Sequence, residues 1–249
     1  MKPKAHIVTA TPTYTGKVEA DYAGSLAVAS MHLALRGALL NPRFAGGFSL
    51  VEYARNWLLA EFLSLKDATH LMWIDDDLYF QPDGIWKLLQ RDLDVVCGVY
   101  TTKNDVAPVY PYTALGPAKD GLQEAERVPG GFMLMKRACI EAVVKRCDWM
   151  EIEHNGETRR SPRFFDLLLK HEDGRNKLYG EDFIACARLR EAGYKVMVET
   201  DLTFKHYGRK AWPANLAKTL ESEEKEGFVG QGTEAAWKKN KREQIKIAE

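Results

Sequence analysis

The chain has 249 residues, a length that suits one large α/β domain or one domain with an appendage. Hydrophobic residues make up 45% of it and charged residues 28%, which indicates a soluble globular protein rather than a disordered one. Because its 35 basic and 35 acidic residues cancel, no global field favours nucleic acid or a membrane surface as a partner.

The cysteines and the apolar runs bear on the cellular compartment. Cys97, Cys139, Cys147 and Cys186 lie far apart and form no Cys-x-x-Cys pair, which predicts buried free thiols in a reducing compartment. No apolar run is long enough to span a bilayer, and residues 1–6 lead into a strand-like segment without the apolar core of a signal peptide. We therefore expect a cytoplasmic protein with no membrane span.

Residues 7–10 predict a first strand that ends in a small, polar loop containing Thr11, Pro12 and Tyr14. Such a loop is a common place for a nucleotide in α/β proteins, and an ordinary βα turn is an equal alternative. A helical pattern then fills residues 18–40 and ends near Gly37 or at Asn41-Pro42.

A second helical pattern covers residues 50–63, with Ser49 available as its N-cap. Arg55 lies largely off the apolar stripe of this helix. From that position its guanidinium can reach a phosphate. Taken alone, an arginine on the solvated face of a helix is the commoner interpretation.

The most informative stretch is residues 70–77, where an apolar run meets three carboxylates, Asp75, Asp76 and Asp77. The run predicts a buried strand, and ligands of α/β sheets bind beyond the carboxyl ends of such strands. Adjacent carboxylates repel one another unless a cation lies between them. A hard divalent ion, Mn²⁺ or Mg²⁺, meets that need and also bridges to phosphate oxygens.

The middle of the chain predicts a helix from Pro82 to Gln90 and a strand over residues 94–100. This alternation of strands and helices indicates a mostly parallel sheet. Residues 101–127 are polar and predict loops with a short antiparallel pair. Regular structure resumes at residues 128–135, where Gly130, Gly131 and Phe132 permit a ligand to approach the backbone or form a bulge, before a helix over residues 136–146.

Residues 148–178 are charged and predict a flexible surface loop, with a lid over the donor as the functional alternative. Glu181 and Asp182 then open a helix that ends at Gly193, where acids often serve only the helix dipole. A strand over residues 195–199 precedes His206. A further helix over residues 233–247 is predicted to pack on the body of the protein or on another subunit.

Together, and in this order, the Thr/Pro loop, the Ala-Arg-Asn helix, the acidic triplet, Gly-Gly-Phe, the Glu-Asp helix and the histidine resemble a GT-A-fold glycosyltransferase, close to the large inverting, metal-dependent family. The resemblance covers roughly residues 5–212. It implies an α/β, GT-A (Rossmann-like) fold with a mostly parallel central sheet flanked by helices. The domains would be a glycosyltransferase domain over residues 1–212 and a polar helical C-terminal extension over residues 213–249.

The resemblance also implies roles for single residues. Asp182 matches the catalytic base, with Glu181 beside it, and the helix dipole is expected to favour its ionised form and so lower its basicity. Metal ligands would be Asp75, Asp77 and His206, with the choice between Asp76 and Asp77 left open by the triplet. Nucleotide contacts would come from Thr11, Pro12, Tyr14, Arg55, Asp75 and Asp76, and donor or acceptor contacts from Gly130, Gly131, Phe132, Arg209 and Lys210.

The implied function is transfer of a hexosyl or deoxyhexosyl group from a nucleotide sugar to a glycan or other hydroxyl acceptor, with Mn²⁺ or Mg²⁺. The resemblance favours UDP as the nucleotide. Three alternatives stay open: a retaining transferase with the same metal site, a sugar-nucleotide nucleotidyltransferase, and a non-catalytic sugar-nucleotide-binding module. The nucleotidyltransferase normally has a glycine-rich loop after its first strand, which this chain lacks.

Overall fold

The computed structural model describes residues 5–105 and 108–225. Within these ranges the helices are Ala20–Leu35 (α1), Val51–Ser64 (α2), Gly84–Gln90 (α3), Arg137–Val144 (α4), Glu181–Glu191 (α5) and Leu216–Lys225 (α6). The strands are Ala5–Thr13 (β1), Ala38–Gly46 (β2), His70–Ile74 (β3), Leu78–Phe80 (β4), Val95–Cys97 (β5), Thr113–Ala114 (β6), Leu122–Arg127 (β7), Phe132–Lys136 (β8), Trp149–His154 (β9), Glu157–Pro162 (β10), Leu168–Glu172 (β11), Arg175–Tyr179 (β12), Val196–Glu199 (β13), Thr203–Tyr207 (β14) and Ala211–Asn215 (β15).

The central sheet has eight strands in the order β2-β1-β3-β8-β5-β13-β7-β6. Three neighbouring pairs are parallel and four are antiparallel, so the α/β class is confirmed but the expectation of a mostly parallel sheet is wrong. The reason is β8, which inserts antiparallel between β3 and β5. A simple alternation of strands and helices would pair those two strands directly.

The buried core explains why the acids emerge where they do. Residues 71–74 of β3 are fully buried, whereas Asp75, Asp76 and Asp77 are only partly covered. A strand in the middle of a sheet is covered on both faces, which selects a continuous apolar run. The chain therefore becomes polar at the point where β3 leaves the sheet, and the carboxylates lie at its carboxyl end.

Near the N-terminus one of two alternative helix ends is confirmed and a predicted cap is wrong. The α1 helix ends at Leu35, which agrees with the end predicted near Gly37 and not with the one at Asn41-Pro42, and residues 38–46 form the edge strand β2, parallel to β1. Gly37, at φ +77°, makes the turn between them. The α2 helix has Leu50 as its N-cap without a side-chain hydrogen bond, so Ser49 does not cap it.

A second, three-stranded sheet lies beside the acids, in the order β15-β14-β4. Strand β4 follows the triplet directly, and His206 in β14 lies opposite Leu78 in β4. The main-chain N–H of Tyr207 donates to the carbonyl of Asp77 over 2.8 Å. This sheet therefore carries the histidine to the acids, although more than a hundred residues separate them in sequence.

Residues 148–178, predicted as an irregular loop, form two β-hairpins, β9–β10 and β11–β12. Both turns are dipeptides with positive φ at both positions, Asn155-Gly156 and Asp173-Gly174. Asn-Gly and Asp-Gly favour the tight turn that matches strand twist, so the signal was present in the sequence. Buried Asn56 holds the connection between the hairpins, since its side chain bonds the main chain of Phe164 and Phe165.

The remaining expectations concern the cysteines, residues 101–127, membrane-spanning helices and the C-terminal helix. Cys97, Cys139 and Cys186 are buried free thiols and Cys147 is partly buried, as predicted. A short antiparallel pair within residues 101–127 is confirmed as β6–β7. In the described part of the chain no helix is long and apolar enough to cross a bilayer. The predicted helix over residues 233–247, and with it the expected subunit contact, lies outside the described residues.

Candidate active site

A cavity of about 410 Å³ opens at the carboxyl end of β3, within the size range of small-molecule sites. Residues distant in sequence meet in its wall. The lining residues are Pro12, Thr13, Tyr14, Phe48, Ser49, Val51, Ala54, Arg55, Asp75, Asp76, Asp77, Tyr100, Gly130, Glu181, Asp182 and His206. The structure thus brings together most of the residues singled out in the sequence.

Arg55 is the structural centre of one side of the cavity. Its side chain is 3% exposed, and its three nitrogens donate to Glu181 (3.1 Å), Asp75 (2.9 Å) and the carbonyl of Gly130 (3.3 Å). Burial opposes the charge, but the two carboxylates outweigh it and raise the pKa of Arg55. Arg55 therefore acts in the structure as a clamp that fixes two acids in the cavity wall.

Asp75 is held from its other side by Tyr100. The phenol donates to Asp75 Oδ2 over 2.7 Å, while Asp75 Oδ1 accepts from Arg55. Burial, followed by the Asp75 charge, raises the pKa of Tyr100 well above its usual value, so the phenol keeps its proton. Both carboxylate oxygens of Asp75 are thus engaged by protein donors.

Asp77 faces His206 and Lys103. Its Oδ1 lies 3.5 Å from His206 Nε2, and its Oδ2 lies 2.5 Å from Lys103 Nζ. Burial opposes ionisation, but the contacts with His206 and Lys103 lower the pKa of Asp77. Asp76 differs, because burial and the neighbouring Asp77 and Asp75 charges raise its pKa to about 6. The two candidates that the triplet left open therefore differ in pKa, and Asp77, which ionises more readily and faces His206, is the better placed cation ligand.

Asp77 and His206 are the side chains in the cavity wall that could hold a divalent cation. His206 Nδ1 lies 2.8 Å from the carbonyl of Thr101, which can only accept, so Nδ1 carries the hydrogen. Nε2 is then the nitrogen that faces Asp77, in the orientation that second-shell carbonyls impose on metal-ligating histidines. No cluster of three His, Cys, Asp or Glu suited to a metal occurs among residues 5–105 and 108–225. Two protein donors suit Mg²⁺-type sites that take their remaining ligands from substrate phosphates.

Asp182 lies at the start of α5, where its Oδ1 accepts from the N–H of Phe183 over 2.8 Å. Burial and the adjacent Glu181 charge raise its pKa to about 6. The direction is opposite to the one expected from the helix dipole, because burial and the Glu181 charge dominate. A carboxylate with a raised pKa in a cavity wall is suited to accept a proton near neutral pH.

The first loop contributes Pro12 and Tyr14 to the cavity, and Tyr14 is 75% exposed. Thr11 does not line it, because its side chain is buried and its hydroxyl bonds Tyr22 over 2.6 Å. Phe48 also lines the cavity. It stacks on His154 of the β9–β10 hairpin with 3.8 Å between ring centroids.

The three residues of the Gly-Gly-Phe segment occupy different places relative to the cavity. Gly130 lines the cavity, between Arg55 and Asp182. Gly131 lies directly behind the wall, where a Cβ would overlap both the Asp75 carboxylate and the Tyr100 hydroxyl. Phe132 is fully buried in the core and does not reach the cavity.

Arg209 and Lys210 are exposed, and neither lines the cavity. Lys210 pairs with Asp105 over 2.5 Å.

Tyr100, Lys103 and Phe48 are the site residues that sequence reasoning missed. Tyr100 was assigned to the end of a strand and Lys103 to a polar loop, and neither belongs to a short motif whose spacing marks a site.

Comparison with known proteins supports the fold. No protein-family model and no curated protein matches the chain. Among solved structures, A197 from STIV superposes with a TM-score of 0.50 at 16% identity, covering 82% of this chain and 86% of that one. The two therefore share an overall fold.

Two structures of UDP-glucose pyrophosphorylase are only weakly similar to this chain. The complex with UDP-glucose has a TM-score of 0.36, covering 76% of this chain and 96% of that one; the apo form has 0.39, with 94% and 82% covered. Both are 9% identical to this chain. At such scores these likenesses support no statement about its activity.

Proposed function

We propose that the protein is a metal-dependent glycosyltransferase of GT-A type. It transfers a hexosyl or deoxyhexosyl group from a nucleoside diphosphate sugar, UDP-linked by preference, to a hydroxyl of a glycan or other acceptor. The reaction inverts the anomeric configuration, with Asp182 as base. The protein works in the cytoplasm and does not act on nucleic acid.

The observation that carries the proposal is the meeting of two different kinds of carboxylate in one cavity. Asp77, with its lowered pKa, faces His206, whereas Asp182, with its raised pKa, lines the same cavity. One carboxylate is suited to hold a cation and the other to accept a proton. Glycosyl transfer from a nucleotide sugar to a hydroxyl uses both.

In the transfer step the acceptor oxygen forms a bond to the anomeric carbon while the bond from that carbon to the diphosphate breaks. Asp182 takes the hydroxyl proton, for which it must be ionised and therefore above a pH of about 6. Arg55 and Tyr100 position Asp75 at the side of the cavity, and Arg55 also positions Glu181 beside the base.

Asp77 and His206 would hold a Mn²⁺ or Mg²⁺ ion in this site. When bound, the ion supplies electrostatic stabilisation to the charge that develops on the leaving diphosphate. Asp75 is a weaker candidate ligand than the resemblance implied, because hydrogen bonds from Arg55 and Tyr100 already use both of its oxygens, whereas in Asp77 the hydrogen bond from Lys103 uses only Oδ2. Lys103, the residue bound to Asp77, is a second cation within reach of a phosphate group.

The test is release of nucleoside diphosphate from a panel of sugar nucleotides in the presence of Mn²⁺. We expect slow, metal-dependent hydrolysis of one donor, which identifies the sugar and the nucleotide. Asp77→Ala should abolish release and weaken Mn²⁺ binding measured by calorimetry in the presence of UDP. The matched control is Asp92→Ala, which removes an exposed aspartate far from the cavity and should leave both unchanged.

Each alternative has its own outcome in the same experiment. A product with retained anomeric configuration indicates the retaining mechanism, and release of pyrophosphate from a nucleoside triphosphate indicates nucleotidyl transfer. Binding of a donor without turnover indicates a binding module. Failure to bind any sugar nucleotide, with Asp77→Ala behaving like the parent, would refute the proposal.

A further inference from the structure

The centre of the solvent face of α1 is unusual because it is wholly apolar, with the partly exposed Asp21, Ser30 and His32 at its edges. Eight of its sixteen residues are exposed, and every one is alanine, glycine, valine, methionine or leucine: Ala20, Ala23, Gly24, Ala27, Val28, Met31, Ala34 and Leu35. At 3.6 residues per turn these positions fill an uninterrupted arc of about 140°. Met31 is 55% exposed and Leu35 79% exposed. Helices on a protein surface normally present charged and polar residues on this face.

We propose that this face of α1 is the interface of a homodimer, in which the two α1 helices pack antiparallel across a twofold axis near Ala27 and Val28. The inference is independent of the proposed enzymatic function. A twofold interface places the same surface on both subunits, so the surface must complement itself.

The order of residues along α1 meets that requirement. In the first half of the helix the exposed residues are small, namely Ala20, Ala23, Gly24 and Ala27. The second half exposes the larger Val28, Met31 and Leu35. In an antiparallel pair centred between residues 27 and 28, Met31 of one helix packs over Gly24 of the other, and Leu35 packs over Ala20. Large side chains then fill the space that small ones leave, as in ridge-into-groove packing.

Charge also favours a second copy over a lipid surface. Helices that lie on membranes carry Lys or Arg on their polar flanks, and α1 contains neither. Its one acid, Asp21, is bound by Lys205 and Tyr207 of the same subunit. Two uncharged faces meet without repulsion and without burying an unpaired charge, as in the charge-depleted cores of protein interfaces.

The size of the surface sets the expected strength of the dimer. A helix of sixteen residues is about 24 Å long, and Phe44 of β2, 49% exposed and in edge contact with Tyr22, extends the patch at one end. A face about 24 Å long and about 10 Å wide is smaller than the about 800 Å² per partner that standard interfaces bury. We therefore expect a reversible dimer whose population depends on concentration.

The test uses the whole chain and measures its mass by light scattering and sedimentation across a broad concentration series. The wild-type protein should approach twice its chain mass of 28.2 kDa at high concentration. Ala27 is exposed and near the proposed axis, so Ala27→Arg and Ala27→Glu each bring two like charges together and should be monomeric. An equimolar mixture of the two variants should form dimers again, because opposite charges then meet. The matched control is Leu169→Glu on β11, which adds a charge at another exposed leucine and should leave the dimer intact.

Circular dichroism of each variant shows whether it is folded, and recovery of dimer in the mixture excludes loss by misfolding. A wild-type protein that stays monomeric at every concentration overturns the proposal, whatever else covers α1. So does a dimer that survives Ala27→Arg or dissolves with Leu169→Glu. Sedimentation of monomeric wild type with anionic phosphatidylserine vesicles, lost in Ala27→Glu, would instead assign the face to a membrane.

Discussion

Replacing Asp182 by Asn should stabilise the folded protein at neutral pH while removing the activity. The amide has nearly the shape of the carboxyl group, and its oxygen can still accept from the N–H of Phe183. It lacks the negative charge that burial and Glu181 make unfavourable. A residue kept for catalysis at the expense of stability is a common feature of active sites.

The magnitude follows from the difference in pKa between the folded and unfolded states. The pKa of Asp182 rises from 3.8 to about 6 on folding, so the folded state binds the proton more tightly than the unfolded one. Ionisation of Asp182 therefore destabilises the folded state. This destabilisation is complete above a pH of about 6 and negligible below a pH of about 3.8. At about 1.36 kcal/mol per pKa unit, the cost to the wild type near pH 7.5 is about 3 kcal/mol.

Urea unfolding followed by circular dichroism measures this difference. At about pH 7.5 Asp182→Asn should be more stable than the wild type by about 1–3 kcal/mol, the lower values applying where the amide leaves a donor unpaired. Near pH 4 the gap should shrink below about 1 kcal/mol, since the wild-type carboxyl is then protonated when folded. Asp92→Asn, an exposed aspartate, is the control and should change stability little at either pH.

Equal stability of Asp182→Asn and the wild type at about pH 7.5 would contradict the reasoning, as would a gap that does not depend on pH. Either result would mean that Asp182 is well solvated or stabilised as an anion. Its suitability as a base near neutral pH would then lack support.

Three further outcomes follow from the same geometry. Arg55→Met should lower the free energy of unfolding by about 3–5 kcal/mol, because two acids lose their buried cation. Arg159 is more exposed, so Arg159→Met should lower the free energy of unfolding by less. Urea unfolding measures both changes. Gly131→Ala should strongly reduce donor hydrolysis in the release assay, since its Cβ displaces the neighbouring carboxylate and phenol, and an unchanged rate would refute this. Burial raises the pKa of Cys186 to about 12, so Ellman's reagent should modify this thiol only after unfolding, as mass spectrometry of the labelled peptide can establish.

The parts of the site that could be predicted are those with a local signature. An apolar run that ends in acids predicts where β3 leaves the sheet, and acids before an amphipathic stretch predict the start of α5. His206 was recognised because it follows a strand in a chain with other cation ligands. For the two acidic segments the evidence lies within about ten residues, whereas the evidence for His206 was its position along the chain relative to the acids.

The remainder depended on partners that are distant in sequence. Nothing in residues 132–136 indicates that β8 runs antiparallel between two other strands, because strand direction is decided by tertiary pairing. Tyr100 and Lys103 acquire their roles only when the chain after β5 folds back over the triplet. The hairpins were a different kind of error, since Asn155-Gly156 is a hairpin signal that overall polarity concealed.

The pairing of β14 with β4 has a consequence for transplanting this site. His206 reaches Asp77 because main-chain hydrogen bonds set the register between the two strands, and a slip of one residue would turn the imidazole to the opposite face. Copying only the acidic triplet and the histidine into another scaffold would therefore lose their alignment. The portable unit is the strand pair with its register, residues 75–80 together with residues 203–207, and grafts that keep this pairing should tolerate changes of sequence elsewhere.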